Sequence, residues 1–126
     1  MPKDMRSWIN QLEERGELLR LKKPADPRTE MGALLYQSRE KAILFENLNG
    51  FPGWRSLGMA PANLRHAAIA FDASLDRLIP TVAELMERRL PCEMVQSGPV
   101  KESKKFGSED IRVIPGVRIH SMDPSA

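Results

Sequence analysis

Between Met5 and Leu21 the apolar spacing changes its period, and that switch constrains the fold more than any other feature. Met5, Trp8, Ile9 and Leu12 fall at i, i+3, i+4 and i+7, the spacing of a helix buried along one face. Asp4 supplies a side-chain acceptor for the first backbone N–H groups, and Gly16 tolerates the left-handed stop that ends a helix. From Glu17 to Leu21 the period is two. Leu19 and Leu21 share one side of a short strand, Leu18 and Arg20 the other, so both faces are partly covered.

The same punctuation continues down the chain. Asp26-Pro27 predicts a second helix start, aspartate as cap and proline in the first turn where its missing N–H costs nothing. Met31, Leu34 and Leu35 form its buried stripe. Ala42 to Phe45 and Trp54 to Met59 read as strands joined through Asn49-Gly50, a turn pair that accepts positive φ. This predicts a hairpin, with a structural role for the turn and no phosphate loop. Pro61 opens a further helix with Leu64, Ala67, Ala68 and Phe71 inward, and Ser74 caps the next. Leu75, Leu78, Ile79, Val82, Leu85 and Met86 keep helical spacing across Pro80. An interior proline removes a hydrogen bond at a cost of ~3 kcal/mol, so a kink or restart is expected near Ile79. Beyond Pro91, Cys92–Val95 and Ile111–Ile114 read as strands separated by a polar, glycine-containing loop.

Helical stripes alternating with short strands predict an α+β domain, with three or four helices on one side of a small, mainly antiparallel sheet. Trp8, Leu12, Leu34, Leu35, Phe45 and Leu85 are expected in one core. The domain spans residues 1–114, and residues 115–126, with two prolines, a glycine and two serines, form an irregular tail. Such a tail is expected to lead into another folded unit. An apolar surface awaiting a partner is expected with it, lined by Met59, Met94 and Met122, while Met86 is read as core.

Composition narrows the function classes. Of 126 residues, 41% are hydrophobic and 29% charged, an ordinary globular balance. A net charge of +2 from 19 basic and 17 acidic residues gives a weak far field. Lys101 to Lys105 contains Glu102 and has no aromatic pair for base stacking, so it reads as a solvated loop and not as a nucleic-acid site. No run approaches the ~18 apolar residues of a membrane span. One cysteine and an N-terminus without an apolar leader suit the cytoplasm.

Few side chains suggest chemistry. Cys92 follows a proline in a predicted strand and is expected buried as a small hydrophobe. His66, a turn after Asn63, makes neither a metal pair nor a nucleophile–base arrangement and is expected at the surface or the core edge. His120 and Asp123 supply two ligands where zinc needs three or four.

Four stretches in order carry a family resemblance. DMRSWINQLEERGELLRL resembles the opening helix and strand of UbiD-like (de)carboxylases, ADPRTEM their next helix start, and AILFENLNGFPGWRSLGM their A-L-L-F-E-N-x-x-G strand with its returning partner. PCEMV through SEDIRVIPGVRIHSMD is similar to the passage from the N-terminal domain toward the cofactor-binding domain. Asp123 fits the family's pattern there; Pro124, Ser125 and Ala126 depart from it.

The resemblance implies non-oxidative decarboxylation of aromatic or α,β-unsaturated carboxylic acids with prenylated FMN, manganese and potassium, the flavin supplying the difficult chemistry. It places the catalytic arginine and glutamates, and the metal-holding residues, downstream of the matched segment. No catalytic, cofactor or metal residue is therefore carried onto this chain, which alone is expected to bind none of these groups and to be inactive. Its expected partners are the UbiD-like cofactor-binding and C-terminal domains, in the same or another chain, within a homo-oligomer. The alternative is a separately encoded small assembly or binding subunit that joins a catalytic UbiD-like chain.

Overall fold

In the computed structural model, which describes residues 4–88, 90–98, 101, 102, 104, 113–120, 122 and 123, the first helix is built by local signals. Asp4 Oδ1 accepts the Ser7 N–H at 2.7 Å and Ser7 Oγ accepts the Asp4 N–H at 3.1 Å, a reciprocal cap on α1 (Met5–Glu14). At the other end Gly16, at φ 70°, lets its own N–H reach Glu13 O and that of Glu17 reach Leu12 O. The chain then enters β1 (Leu18–Leu21), α2 (Met31–Ser38), β2 (Ala42–Phe45), β3 (Ser56–Gly58), α3 (Leu64–Phe71), a 3-10 turn (Leu75–Arg77) and α4 (Leu78–Glu87). Among the described residues, four helices around a three-stranded sheet make the fold α+β.

The sheet order is β1-β2-β3. β2 and β3 form the expected antiparallel pair, with Ile43 opposite Gly58 and Phe45 opposite Ser56. β1 runs parallel to β2, Leu18 beside Ala42 and Leu21 beside Phe45, so the sheet is mixed and not mainly antiparallel. A parallel pair needs a crossover, and α2 provides it.

β2 is buried along its whole length, and its alternating side chains face two cores. Ile43 and Phe45 pack with Ala25, Met31, Leu35 and Leu48 under α2, joined at the edge by Leu34. Ala42 packs with Leu12 of α1 and Ile69 of α3, flanked by Trp8, Leu18 and Leu57. Helices therefore cover both faces of the sheet where one was expected, and the single expected core is two. The cause is in the sequence Ala-Ile-Leu-Phe, apolar at every position, which a one-sided sheet would leave half wet. Leu85 is half-buried and belongs to neither cluster.

Two helix starts differ from the sequence reading. Asp26 does cap a turn, its Oδ1 accepting the N–H of Arg28 at 2.7 Å and of Thr29 at 3.0 Å while Glu30 Oε2 accepts its own N–H at 2.8 Å. Regular helix begins later, at Met31. Asn63, not Pro61, opens α3, its Oδ1 accepting the N–H groups of Arg65 and His66. The inward face of α3 is His66, Ala68 and Ile69, and Leu64 is exposed. The expected restart before Pro80 is present: the 3-10 turn hands over to α4 at Leu78, which puts Pro80 in a first turn where it breaks no helical hydrogen bond.

Beyond α4 the expected strand Cys92–Val95 is not formed. Its residues are exposed and make no ladder among the described residues, so Cys92 is a surface thiol and not a buried hydrophobe. Met86, read as core, is exposed too. Of the expected strand Ile111–Ile114, Ile111 and Arg112 lie outside the described residues, and Val113 and Ile114 are not strand. Residues 115–120 are irregular yet docked. Val117 packs on the α2 core, the Arg118 N–H donates to Pro27 O at 2.9 Å, and the backbone passes Gly32 so closely that a Cβ there would sit 3.0 Å from the carbonyl oxygens of Arg118 and Ile119.

Candidate functional site

Two places on the domain bring polar chemistry together. The first joins β1 to α3. His66 is fully buried, contrary to the surface or core-edge position expected for it, and both of its ring nitrogens are engaged. Its Nδ1 lies 3.1 Å from the Ala62 N–H, which can only donate, so Nδ1 is an acceptor and carries no proton. The ring is then the neutral Nε2–H tautomer, and Nε2 donates to Glu17 Oε2 at 3.2 Å. The other carboxylate oxygen, Oε1, accepts from Arg65 Nε at 2.7 Å. Trp8 Nε1 donates to the His66 carbonyl at 3.3 Å, tying α1 to the same point.

The Arg65 guanidinium beside Glu17 holds its carboxyl below the usual carboxylate range, against the opposing effect of burial and with help from His66. Arg65 is correspondingly raised by Glu17. The imidazole is closed off from solvent while Arg65, at the outer end of the cluster, is half exposed, and together the three side chains tie α3 to the chain that leads into β1. No spacing signal announces it, because Glu17 and His66 come from separate elements.

The second place is an open groove of about 940 Å³ between α2, β3 and the returning segment at Val117–His120. Leu35, Leu57, Met59 and Val117 make its apolar walls, with Tyr36, Arg39 and His120 among the lining residues. Arg39 lies over the Tyr36 ring, 4.6 Å from its centre, and donates to its hydroxyl at 2.7 Å. Gly58 makes the groove floor possible, since any Cβ there would run into the Leu35 side chain. Sequence reading missed this groove because the segment that closes it returns to α2 from far along the chain.

The residues weighed as ligands do not assemble. Asp123 does not pair with the His120 imidazole. Its Oδ2 accepts the backbone N–H groups of Ile119 at 2.9 Å and His120 at 2.8 Å, and these bonds lower its pKa. Consecutive amides of this kind can cradle a phosphate, but here Asp123 occupies both. Among the described residues no three of His, Cys, Asp and Glu come together. No described helix is long and apolar enough to cross a membrane. Lys101 and Lys104 are exposed, and Lys105 lies outside the described residues.

Comparison with known proteins adds what the site alone does not. Residues 9–86 match the family described as 3-octaprenyl-4-hydroxybenzoate carboxy-lyase N-terminal domain (UbiD_N). The chain is 28% identical to the pyrrole-2-carboxylic acid decarboxylase of Pseudomonas aeruginosa, over 95% of its own length and 28% of that protein's. Its backbone is similar to the UbiD-class enzyme HmfF of Pelotomaculum thermopropionicum in complex with FMN, with a TM-score of 0.69 and 29% identity. That likeness covers 78% of this chain and 22% of HmfF. An evolved dimeric form of HmfF in complex with prFMN gives a TM-score of 0.62 at 29% identity, over 71% of this chain and 21% of the other. The chain thus spans under a third of the length of each of these relatives.

Proposed function

The chain belongs to the UbiD family, as the family's N-terminal domain, and we propose that it is the non-catalytic part of a prenylated-FMN decarboxylase acting on aromatic or α,β-unsaturated carboxylic acids. The observation that carries this reading is the family match across residues 9–86, supported by the backbone likeness to HmfF in complex with FMN. In this proposal residues 1–114 form the domain and residues 115–126 lead toward a cofactor-binding domain, in the same chain or another. That domain holds the flavin, manganese and potassium and carries out the decarboxylation. The role of this chain is to pack beside that site, within a cytoplasmic oligomer.

The test uses the purified chain with prenylated FMN and manganese, and pyrrole-2-carboxylate as the trial acid. Flavin absorbance should elute apart from the protein in gel filtration, and no carbon dioxide should be released. Supplied with the cofactor-binding and C-terminal parts of a UbiD-like protein, the assembly should decarboxylate an aromatic acid. Flavin retained in equal proportion by the chain alone, or turnover by it, overturns the non-catalytic reading; an assembly inert toward every aromatic and α,β-unsaturated acid overturns the decarboxylase reading.

A further inference from the structure

The groove between α2, β3 and the returning segment at Val117–His120 is built into the backbone. Its floor is open because the β3 residues on the α2 side of the sheet are Ser56 and Gly58, which lie opposite Phe45 and Ile43 of the core under α2. Small side chains at both positions leave room above them. Of the described glycines, Gly32 and Gly58 are the two at which an added Cβ meets other atoms, and both line the groove. Gly32 admits the returning backbone against α2, and Gly58 admits Leu35 across the strand. Two of the three non-glycine residues at positive φ among the described residues line it as well, Arg39 at 42° and Met59 at 52°. Backbone held in such sparsely populated conformations gathers at ligand clamps.

The chemistry of the lining defines what fits. A volume of about 940 Å³ lies in the upper part of the ~300–1,000 Å³ range of small-molecule sites, far more than one small ring fills. Leu35, Leu57, Met59 and Val117 give aliphatic walls, which call for an apolar body. No aspartate or glutamate is among the lining residues, and the permanent charge there is Arg39. Stacking on Tyr36 and the Nη2 bond to its hydroxyl at 2.7 Å hold the guanidinium in place and leave the rest of its N–H fork for an anion. The acids that flank the lining act elsewhere. Asp123 accepts the Ile119 and His120 amides, and its charge acts on His120 and Arg118. Glu40 follows Arg39 in sequence but acts on Arg65, whose pKa is raised first by Glu17 and also by Glu40. The carbonyl end of α2 sets only about half a charge against the full one of Arg39. An uncharged apolar ligand would cover this cation without pairing it, and a cationic one would be repelled.

We propose that the groove binds an aliphatic monocarboxylate, its head paired with Arg39 and its chain laid along Leu35, Met59 and Val117. The planar guanidinium matches a carboxylate oxygen for hydrogen, and the walls supply no second charge for a second anionic group. The site is one of binding and stands apart from the decarboxylase reading.

The probe is decanoate, below its micelle concentration, titrated into the intact chain with its methionine methyl groups isotope-labelled; decanol, decyltrimethylammonium and pyrrole-2-carboxylate are titrated in parallel. Calorimetry should show a single saturable site for decanoate, with each of the other three at least tenfold weaker. The Met59 methyl resonance should shift, and that of Met86 on α4 should stay in place. Arg39→Met, at an exposed position, should weaken decanoate at least tenfold and level it with decanol, and Arg39→Lys should recover part of the affinity, both with unchanged far-ultraviolet dichroism. The selectivity among the four probes needs no variant. No saturable binding of decanoate, equal affinity for decanoate and decanol, an unchanged affinity in a folded Arg39→Met chain, or a shift at Met86 without one at Met59 would overturn the proposal. So would tighter binding of an acetylated leucine tripeptide with a free carboxyl end, which gives the groove to a chain terminus.

Discussion

Leu12→Ala and Leu64→Ala form a matched pair, the same substitution on two helices that pack together, α1 and α3. Leu12 is completely buried, enclosed by Ala42 and Ile69 with Trp8, Leu18 and Leu57 around them. Removing three carbons forfeits about 2.4 kcal/mol of transfer free energy at ~0.8 kcal/mol per methylene. A cavity adds to this, but Trp8 and Leu18 are only partly buried and can close some of it, so the expected loss is about 3 kcal/mol, inside the ~2–5 kcal/mol range for buried leucines. Leu64 is 70% exposed, and alanine is the better helix former, so its truncation should change stability by less than ~0.5 kcal/mol. Urea melts read the contrast directly. With a slope of ~1–3 kcal/mol per molar urea, Leu12→Ala should move the midpoint down by roughly 1–3 M, and Leu64→Ala should barely move it. A Leu12→Ala cost below ~0.5 kcal/mol, or equal costs at the two sites, would refute the packing described for α1 and α3.

Two further perturbations probe the clasp and the groove. Glu17 has its pKa lowered in the folded state by Arg65, so it contributes stability above its unfolded value of about 4.3, and that contribution is lost as the pH falls through the lower folded value. Urea midpoints followed downward from pH 5 should therefore fall less steeply for Glu17→Gln than for the parent chain; identical acid limbs would remove Glu17 as a contributor. Gly58→Ala places a methyl group into Leu35 and should destabilise by about 1–3 kcal/mol, the usual cost of overpacking. In a Leu35→Ala background that cost should shrink, and strict additivity in the double-mutant cycle would show that the two residues do not touch.

What was legible in the sequence was what neighbouring residues decide among themselves. The Asp4 cap, the Gly16 stop and the stripe ending in Leu12 all belong to one helix and its ends, and α1 forms where they indicate. Ala42–Phe45 was found to the residue because four apolar positions in a row admit few alternatives, and Asn49-Gly50 with Gly53 turns the chain back toward β3. Less legible was anything that depends on a distant partner. Leu18–Leu21 reads as a strand, but nothing local says that its neighbour is β2 in parallel, reached over α2. His66 looks like a surface histidine until Glu17, just before β1, engages Nε2 and the Ala62 amide engages Nδ1. These two bonds offset the cost of burying the imidazole, and α3 turns His66 inward and leaves Leu64 in water.

The same dependence accounts for the misplaced apolar residues after α3. Periodicity registers which side chains are to be covered in a finished assembly, whichever body provides the cover. On α1 the stripe from Trp8 to Leu12 is met by β1 and α3, and only Met5 at its start is left exposed. On α4 an equally regular stripe finds α3 on only one flank, and Ile79 and Met86 remain in water, although their spacing is as good as that of Trp8 and Leu12. Cys92–Val95 follows the same logic in its own period: alternation fixes which side chains share a face, but a strand exists only where an edge accepts its amides. Among the described residues no such edge meets it. Both departures from the sequence reading therefore have one physical cause and lie side by side in the chain, just where the apolar pattern calls for more cover than the described residues supply.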